Sequence, residues 1–337
     1  MVRSNSSDKI EFDCIGFGMN AVDYLSILDP YPNLDEKVEV IESSRQGGGP
    51  VPTAMVTLAR LGLKVAYIGK IGDDPEGRFV KAELGKEGVN TDYVIMDKKS
   101  KTAKAFIWVD KNTGKRTVAL DKTRSNHIEI SELKFIDSIT TKFLHIDARK
   151  PGVDIFLSKW AKKLGAKVSL DVGSLRPEVE LVFPFVNHLI VSKRFACSFT
   201  RLSDPFSACK KLMKEGFEIV VVTIGEDGCI CGSPRGFTTS GSPRGFTTSG
   251  SPRGFTTSGE EDEIFHSPGF PVKVVDKTGA GDVFHGAFIY GLLEKWDLKR
   301  TARFACATAA MKCRKLGGRA GLPNLAEVSN FMKNFKE

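Results

Sequence analysis

Residues 270–296 read FPVKVVDKTGAGDVFHGAFIYGLLEKW, and the order of their chemistry decides the fold. The apolar run PVKVVD (271–276) predicts a strand, and the small residues Gly279, Ala280 and Gly281 predict a tight turn. Phe284, Ala287, Phe288, Gly291 and Leu292 then recur at the spacing of one helix face. A strand, a glycine turn and a helix start make an anion site, because the first amides of a helix lack internal acceptors and its dipole adds positive potential. Asp282 falls in the first helical turn. A carboxylate there can take the proton of an attacking hydroxyl while the amides neutralise charge growing on a transferred phosphoryl group. Taken alone, the same GxGD is also an ordinary cap and turn.

Upstream, strand-like runs (FDCIGFG 12–18, KVAYIGK 64–70, FLHID 143–147, KVSLD 167–171, HLIVS 188–192, EIVVVTIG 218–225) alternate with helix-like runs such as PVPTAMVTLARLG (50–62) and DPFSACKKLMKEG (204–216). That alternation predicts a mostly parallel sheet covered by helices on both faces. Residues 24–46 and 102–121 break the rhythm with KVEVIES and AFIWVDKNTGKRTVAL, predicted as antiparallel strands of a small lid with a turn at Asn112–Gly114. A nonapeptide, GSPRGFTTS, occurs three times in succession from 232 to 258. Its Gly, Pro, Ser and Thr content cannot build a core, so 232–259 is expected to be an expanded hairpin loop. Arg beside Phe also suits stacking on single-stranded nucleic acid, which is the lesser expectation.

Composition bounds the rest. The 337 residues are 41% hydrophobic and 27% charged, which excludes a disordered chain or a fibre and allows one domain over 1–330 with the lid inserted in it. No apolar run approaches the roughly 18 residues of a membrane span. The start, MVRSNSSDKIEFD, lacks the apolar run of a secretory signal. Seven cysteines without paired CxxC motifs read as reduced thiols of a cytoplasmic protein. The formal charge of +8 suits phosphate handling or a polyanion partner; without the three repeat arginines it falls to +5. The five histidines show no metal-ligand spacing, and His285 reads as a helix-face residue.

The DKTGAGD string with its helix resembles the second signature, DTxGAGD, of the PfkB or ribokinase-like family of sugar kinases. The stretch RQGGGPVPTAMVTLARLG…GDD…GVNTDYV (45–94) is similar to that family's first signature, and the likeness runs from about residue 12 to 330. The resemblance implies a ribokinase-like three-layer α/β/α sandwich, with a mostly parallel, Rossmann-like central sheet and a small β-sheet lid. It implies ATP-dependent transfer of the γ-phosphoryl group to a primary hydroxyl of a ribose- or fructose-like sugar, with Mg2+ and room for a monovalent cation such as K+. A homodimer paired through the lid is expected, with a small-molecule sugar and no membrane as partners. The alternative within the same fold is a non-catalytic sugar or nucleotide binder.

Residue by residue, Asp282 matches the family's general base and Gly279, Ala280 and Gly281 its anion hole. Asp23 in GMNAVD, the double glycine Gly48–Gly49 and Thr53 match sugar-contacting positions. Thr223, Gly225 and Gly228 in VVVTIGEDGC, with Lys277, Thr278, Ala309 and Gly317, match nucleotide-side positions. GGGP, GAGDVFHGAF and AAMKCRKLGGRAGLP most resemble the sulfofructose kinase branch, so Lys37 and Arg149 become candidates to hold an anionic group of the sugar. Thr53 stands where many members carry asparagine, Lys277 replaces the signature's second threonine, and SKRF (192–195) occupies the place of the NxxE whose glutamate serves magnesium. The protein ligands of the metal therefore stay unassigned.

Overall fold

A computed structural model describes residues 9–122, 124–125, 127–234 and 263–335. Its strands are β1 (Ile10–Phe17), β2 (Ala21–Leu28), β3 (Val40–Gly48), β4 (Val65–Gly72), β5 (Val94–Asp97), β6 (Ala103–Asp110), β7 (Arg116–Asp121), β8 (Ile139–Ile146), β9 (Lys167–Val172), β10 (His188–Ser192), β11 (Ile219–Thr223), β12 (Cys229–Ser233) and β13 (Glu263–Ser267). The helices are α1 (Pro50–Arg60), α2 (Pro75–Lys86), α3 (Pro151–Lys163), α4 (Lys193–Thr200), α5 (Pro205–Met213), α6 (Ala280–Leu293), α7 (Leu298–Lys312) and α8 (Leu325–Lys333).

Nine strands form the main sheet in the order β13-β12-β11-β10-β9-β8-β1-β4-β5, parallel from β11 to β5. Its central strands are runs such as IVVVT and HLIVS, buried almost throughout, as strands covered on both faces must be. One core lies between the sheet and α3, α4 and α5; a second lies between it and α1, α2, α6, α7 and α8. The layers are therefore α/β/α. Pro opens α1, α2, α3 and α5, where its missing N–H costs nothing, and the Asp74 and Asp204 carboxylates cap α2 and α5 at 2.7 Å. From β1 the chain passes to β4 and β5 on one side and later returns to β8 on the other. Such a reversal leaves a crevice beyond the carboxyl ends of the strands.

The second sheet has the order β3-β2-β6-β7. The β2–β3 and β6–β7 pairs are antiparallel, as the alternation predicted, but the central β2–β6 pair is parallel. Two hairpin-like units thus lie side by side in the same sense. Leu25, Ile27, Ala105, Ile107 and Val109 face inward and pack on Leu316, which seats this sheet beside the 270–318 region.

The segment PVKVVD is not a strand. The hairpin β12–β13 forms that edge of the main sheet, and the chain leaving Ser267 turns away from it without pairing. Its amides bond elsewhere: Val275 and Asp276 to the Cys313 carbonyl at 2.8 and 3.2 Å, and Lys277 to the Gly114 carbonyl at 3.3 Å. Alternation reports which side chains are buried, not whether a strand is paired. The nonapeptide repeats connect β12 to β13; residues 235–262, which hold nearly all of them, lie outside the described residues.

Candidate active site

The turn before α6 is built almost wholly from main chain. Gly279 caps the helix with φ 73°, a left-handed conformation, and a Cβ there would come within 2.9 Å of the Gly318 Cα. Ala280 donates a long 3.3 Å hydrogen bond to the Lys277 carbonyl, whereas the amides of Gly279 and Gly281 make none among the described residues. The buried Asp276 carboxylate braces the turn, accepting from the Thr278 amide and hydroxyl at 2.8 and 2.7 Å and from the Gly317 amide at 2.7 Å. The Lys277 Nζ lies 3.1 Å from Glu226 in a solvent-accessible pair that ties the turn to the 225–228 loop carrying Gly225 and Gly228. Thr223 ends β11, its hydroxyl 3.3 Å from the Val191 carbonyl, and Ala309 lies partly buried on α7.

Asp282 lies in the first turn of α6, partly buried. Burial pushes its carboxyl up to about 6, the Asp171 carboxylate pushes the same way, and His285, Arg116 and Lys312 oppose them. His285 sits beneath the turn, its Nδ1 2.7 Å from the Gly281 carbonyl and its Nε2 3.1 Å from the Ile190 carbonyl and 3.4 Å from Asp171 Oδ1. It pins the first turn of α6 to β9 and β10.

Asp23 faces Asp282 from the small sheet. Burial pushes its carboxyl up to about 7, with Arg319 opposing and Asp282 adding to the rise. Gly48 lies against that carboxylate so closely that any Cβ would collide with it. Gly49 is the N-cap residue of α1, and Thr53, in the first turn of α1, is buried beside Gly318. These positions therefore meet at one place. Further along, the crevice beyond β1 and β8 is lined by Asn20, Lys70, Lys101, Asp147, Arg149 and Lys150, among others. Arg149 Nε is 3.2 Å from Asp147, whose second oxygen is buried without a partner among the described residues. Both amide atoms of Asn20 are likewise buried and unspent. Lys37 is not brought here: it is exposed on the loop after β2 and does not line the crevice.

Several residues that shape the site carried no role in the sequence reading. Arg319, almost fully buried, donates from Nη2 to the Gly48 carbonyl at 3.1 Å and pairs through Nη1 with Glu83 at 3.1 Å, while Glu83 also holds the Gly47 amide. Gln46 accepts from the Arg319 and Ala320 amides at 3.2 and 3.3 Å. Together they tie Gly47 and Gly48 to the loop that backs Gly279. Arg116, from the β6–β7 hairpin, reaches the Lys277 carbonyl at 3.3 Å and lowers the proton affinity of both Asp23 and Asp282. An exposed Arg in a lid hairpin and a buried one in a Gly-rich loop look alike in sequence. Only the small neighbours of Arg319 in GGRAG hinted at close packing.

SKRF supplies no carboxylate: Ser192 caps α4, accepting from the Phe195 amide at 3.1 Å, and Lys193 and Arg194 are exposed. No group of three or more His, Cys, Asp or Glu that could hold a metal converges among the described residues, and none of their helices is long and apolar enough to cross a membrane. A magnesium ion that keeps most of its waters and arrives on phosphates needs no such cluster, and the uncommitted amides beside Asp282 fit that mode.

Residues 19–325 match the pfkB family of carbohydrate kinases. An uncharacterized sugar kinase of Archaeoglobus fulgidus is 29% identical over 276 residues, covering 79% of this chain and 98% of its own. A 5-dehydro-2-deoxygluconokinase of Clostridium perfringens is 25% identical over 355 aligned positions, covering 98% and 95%. The structure of Arabidopsis thaliana ribokinase complexed with ribose and ATP superposes with a TM-score of 0.75 at 20% identity, covering 96% of this chain and 99% of that one.

Proposed function

The chain belongs to the pfkB family of carbohydrate kinases, and from that premise we propose that it transfers the γ-phosphoryl group of ATP to a primary hydroxyl of a ribose- or fructose-like sugar. The observation that carries this reading is Asp282, its proton affinity raised to about 6, set beside the uncommitted amides of Gly279 and Gly281. A base tuned toward neutrality is suited to take a hydroxyl proton. As the acceptor oxygen bonds to the γ-phosphorus and the bond to ADP breaks, the hydroxyl proton passes to Asp282, and the amides of Gly279, Ala280 and Gly281 meet the charge growing on the phosphoryl oxygens. Magnesium, when bound with the nucleotide, neutralises phosphate charge.

Asp23 accepts sugar hydroxyl protons, the bare backbone at Gly48 and Gly49 lets the ring lie close, and Thr53 is within reach of the same space. Asn20 and the free oxygen of Asp147 have hydrogen-bonding capacity left for it. On the nucleotide side we assign Thr223, Gly225, Gly228, Lys277, Thr278, Ala309 and Gly317. The small sheet acts as a lid, and Arg116 on its hairpin brings a cation over the reacting phosphate. Arg149, with Lys101 at the crevice wall, suits an acidic or sulfonated ketose, and one relative is named for a gluconate derivative, which carries a carboxylate.

Phe106 and Trp108 stay nearly half exposed, at 46% and 49%, on the outer face of the small sheet, with Phe106 stacked on Tyr24. That apolar face supports a homodimer through the lid, and a monomer in sedimentation velocity would contradict it. All seven cysteines are free, which suits a reducing cytoplasm.

The deciding experiment measures ADP release with Mg-ATP against neutral and acidic pentoses, ketohexoses and their sulfonated analogues. Turnover with one sugar establishes the kinase and names its acceptor. ATP binding without turnover on any sugar favours the non-catalytic alternative.

A further inference from the structure

Lys312, the last residue of α7, has no exposed surface. A buried ammonium is costly unless partnered, and an apolar residue of the same length would fill the space more cheaply. Its Nζ donates to the main-chain carbonyl of Asp276 at 2.9 Å, at the residue that opens the phosphate turn. The Asp276 carboxylate is itself fully buried and spends its oxygens on neutral donors, the amide and hydroxyl of Thr278 and the amide of Gly317. Lys312 bonds the main chain rather than that carboxylate, and the two buried charges attract across the turn. The carboxyl end of α7 adds favourable potential for a positive charge. Burial lowers the proton affinity of Lys312, Arg116 acts in the same direction, and Asp276, Cys313 and Asp282 oppose. Asp282 feels Lys312 in return.

We propose that the Lys312 ammonium is the built-in counter-charge of the phosphate turn. It holds the Asp276–Gly279 segment against the 316–318 loop and sets one fixed positive charge behind the amides that meet the phosphoryl group. It touches no substrate and is a positioning residue.

This inference rests on the kinase reading. Lys312→Met keeps most of the apolar stem and removes the charge. We expect it to fold, to lose about 100-fold in kcat with the KM for sugar little changed, and to gain less thermal stabilisation than wild type from a non-hydrolysable ATP analogue, a readout that needs no acceptor. Lys312→Ala should recover turnover with ammonium or methylammonium but not with tetramethylammonium, because only a small cation that donates hydrogen bonds can replace the lost head group. Wild-type turnover by Lys312→Met, or no recovery of a folded Lys312→Ala with ammonium, would each overturn it. Should neither variant fold, Lys312→Met combined with Asp276→Asn removes both buried charges: a fall of about 100-fold in kcat in that protein supports the proposal, and wild-type turnover overturns it. Absence of any wild-type turnover would instead count against the kinase reading, leaving the analogue-binding comparison to judge Lys312.

Discussion

The two ends of the crevice are made of different material. At the 276–282 turn, main-chain amides of Gly279 and Gly281 and the internally spent Asp276 supply the polar groups, and Gly279 lies too close to the Gly318 backbone to leave room for a side chain. At the far end, beyond β1 and β8, side chains do it: Asn20, Asp147, Arg149 and the neighbouring lysines. A main-chain site allows only small residues and tolerates little change. A side-chain site can alter its preference without touching the fold, which is how one architecture can serve sugars of different charge.

Substitutions should separate the two ends, beginning at the turn. Gly279→Val adds a branched side chain at a left-handed φ and into the Gly318 backbone, so turnover should be abolished and stability should fall by about 2 kcal/mol or more, read by denaturant unfolding. Retained activity would mean the turn is not a close-fitting cradle. At the other end, Arg149→Ala should raise the KM for an acidic sugar by about tenfold, the scale of one charge-assisted hydrogen bond, while leaving neutral sugars and the fold unaffected. Equal loss on both classes of sugar would move Arg149 from specificity to structure.

Asp23 and Asp282 sharpen the contrast through pH. Both carboxyls are raised above the ordinary 3.8, to about 7 and about 6, so the folded protein binds protons that the unfolded chain has released. Their contribution to stability is full below the unfolded value and lost as pH rises through 6 to 7. Asp23→Asn should therefore raise Tm at pH 8 by about 2 °C or more, the gain shrinking toward pH 4, even as sugar affinity is lost. A lower Tm at pH 8 would mean that Asp23 is held by partners rather than strained by burial. The smallest effect belongs to the rim: Lys277→Ala breaks a solvent-accessible pair with Glu226 and should weaken ATP binding by only about two- to fivefold, less at high salt.

The same difference explains what could be read from the chain. The phosphate turn lies within seven consecutive residues, and its requirements, glycines and one carboxylate at fixed spacing, are visible as letters. The alternating order of strands and helices likewise announced the three layers. PVKVVD failed as a strand because pairing depends on which distant backbone groups lie alongside, and the Val275 and Asp276 amides meet the Cys313 carbonyl instead of a strand edge. The parallel join of β2 to β6 escaped for the same reason, since partners in the register lie 82 residues apart, as in Leu28 beside Asp110 and Ala21 beside Ala103. Arg319, Glu83 and Gln46 come together from three distant segments, and Lys312 looks like one more surface lysine near a helix end until its burial is seen. Lys37 fails in the opposite way: a cation in the right region of sequence stays outside the crevice.

The account turns on Asp282 acting as the base. The most direct measurement is single-turnover phosphoryl transfer by wild type and Asp282→Asn on the accepted sugar, with ATP affinity measured alongside. We predict a fall in the transfer rate of about 100-fold or more, ATP affinity within a few-fold of wild type, and a wild-type rate that declines below a pH of about 6. Transfer by Asp282→Asn at near the wild-type rate, with no acid limb, would contradict it.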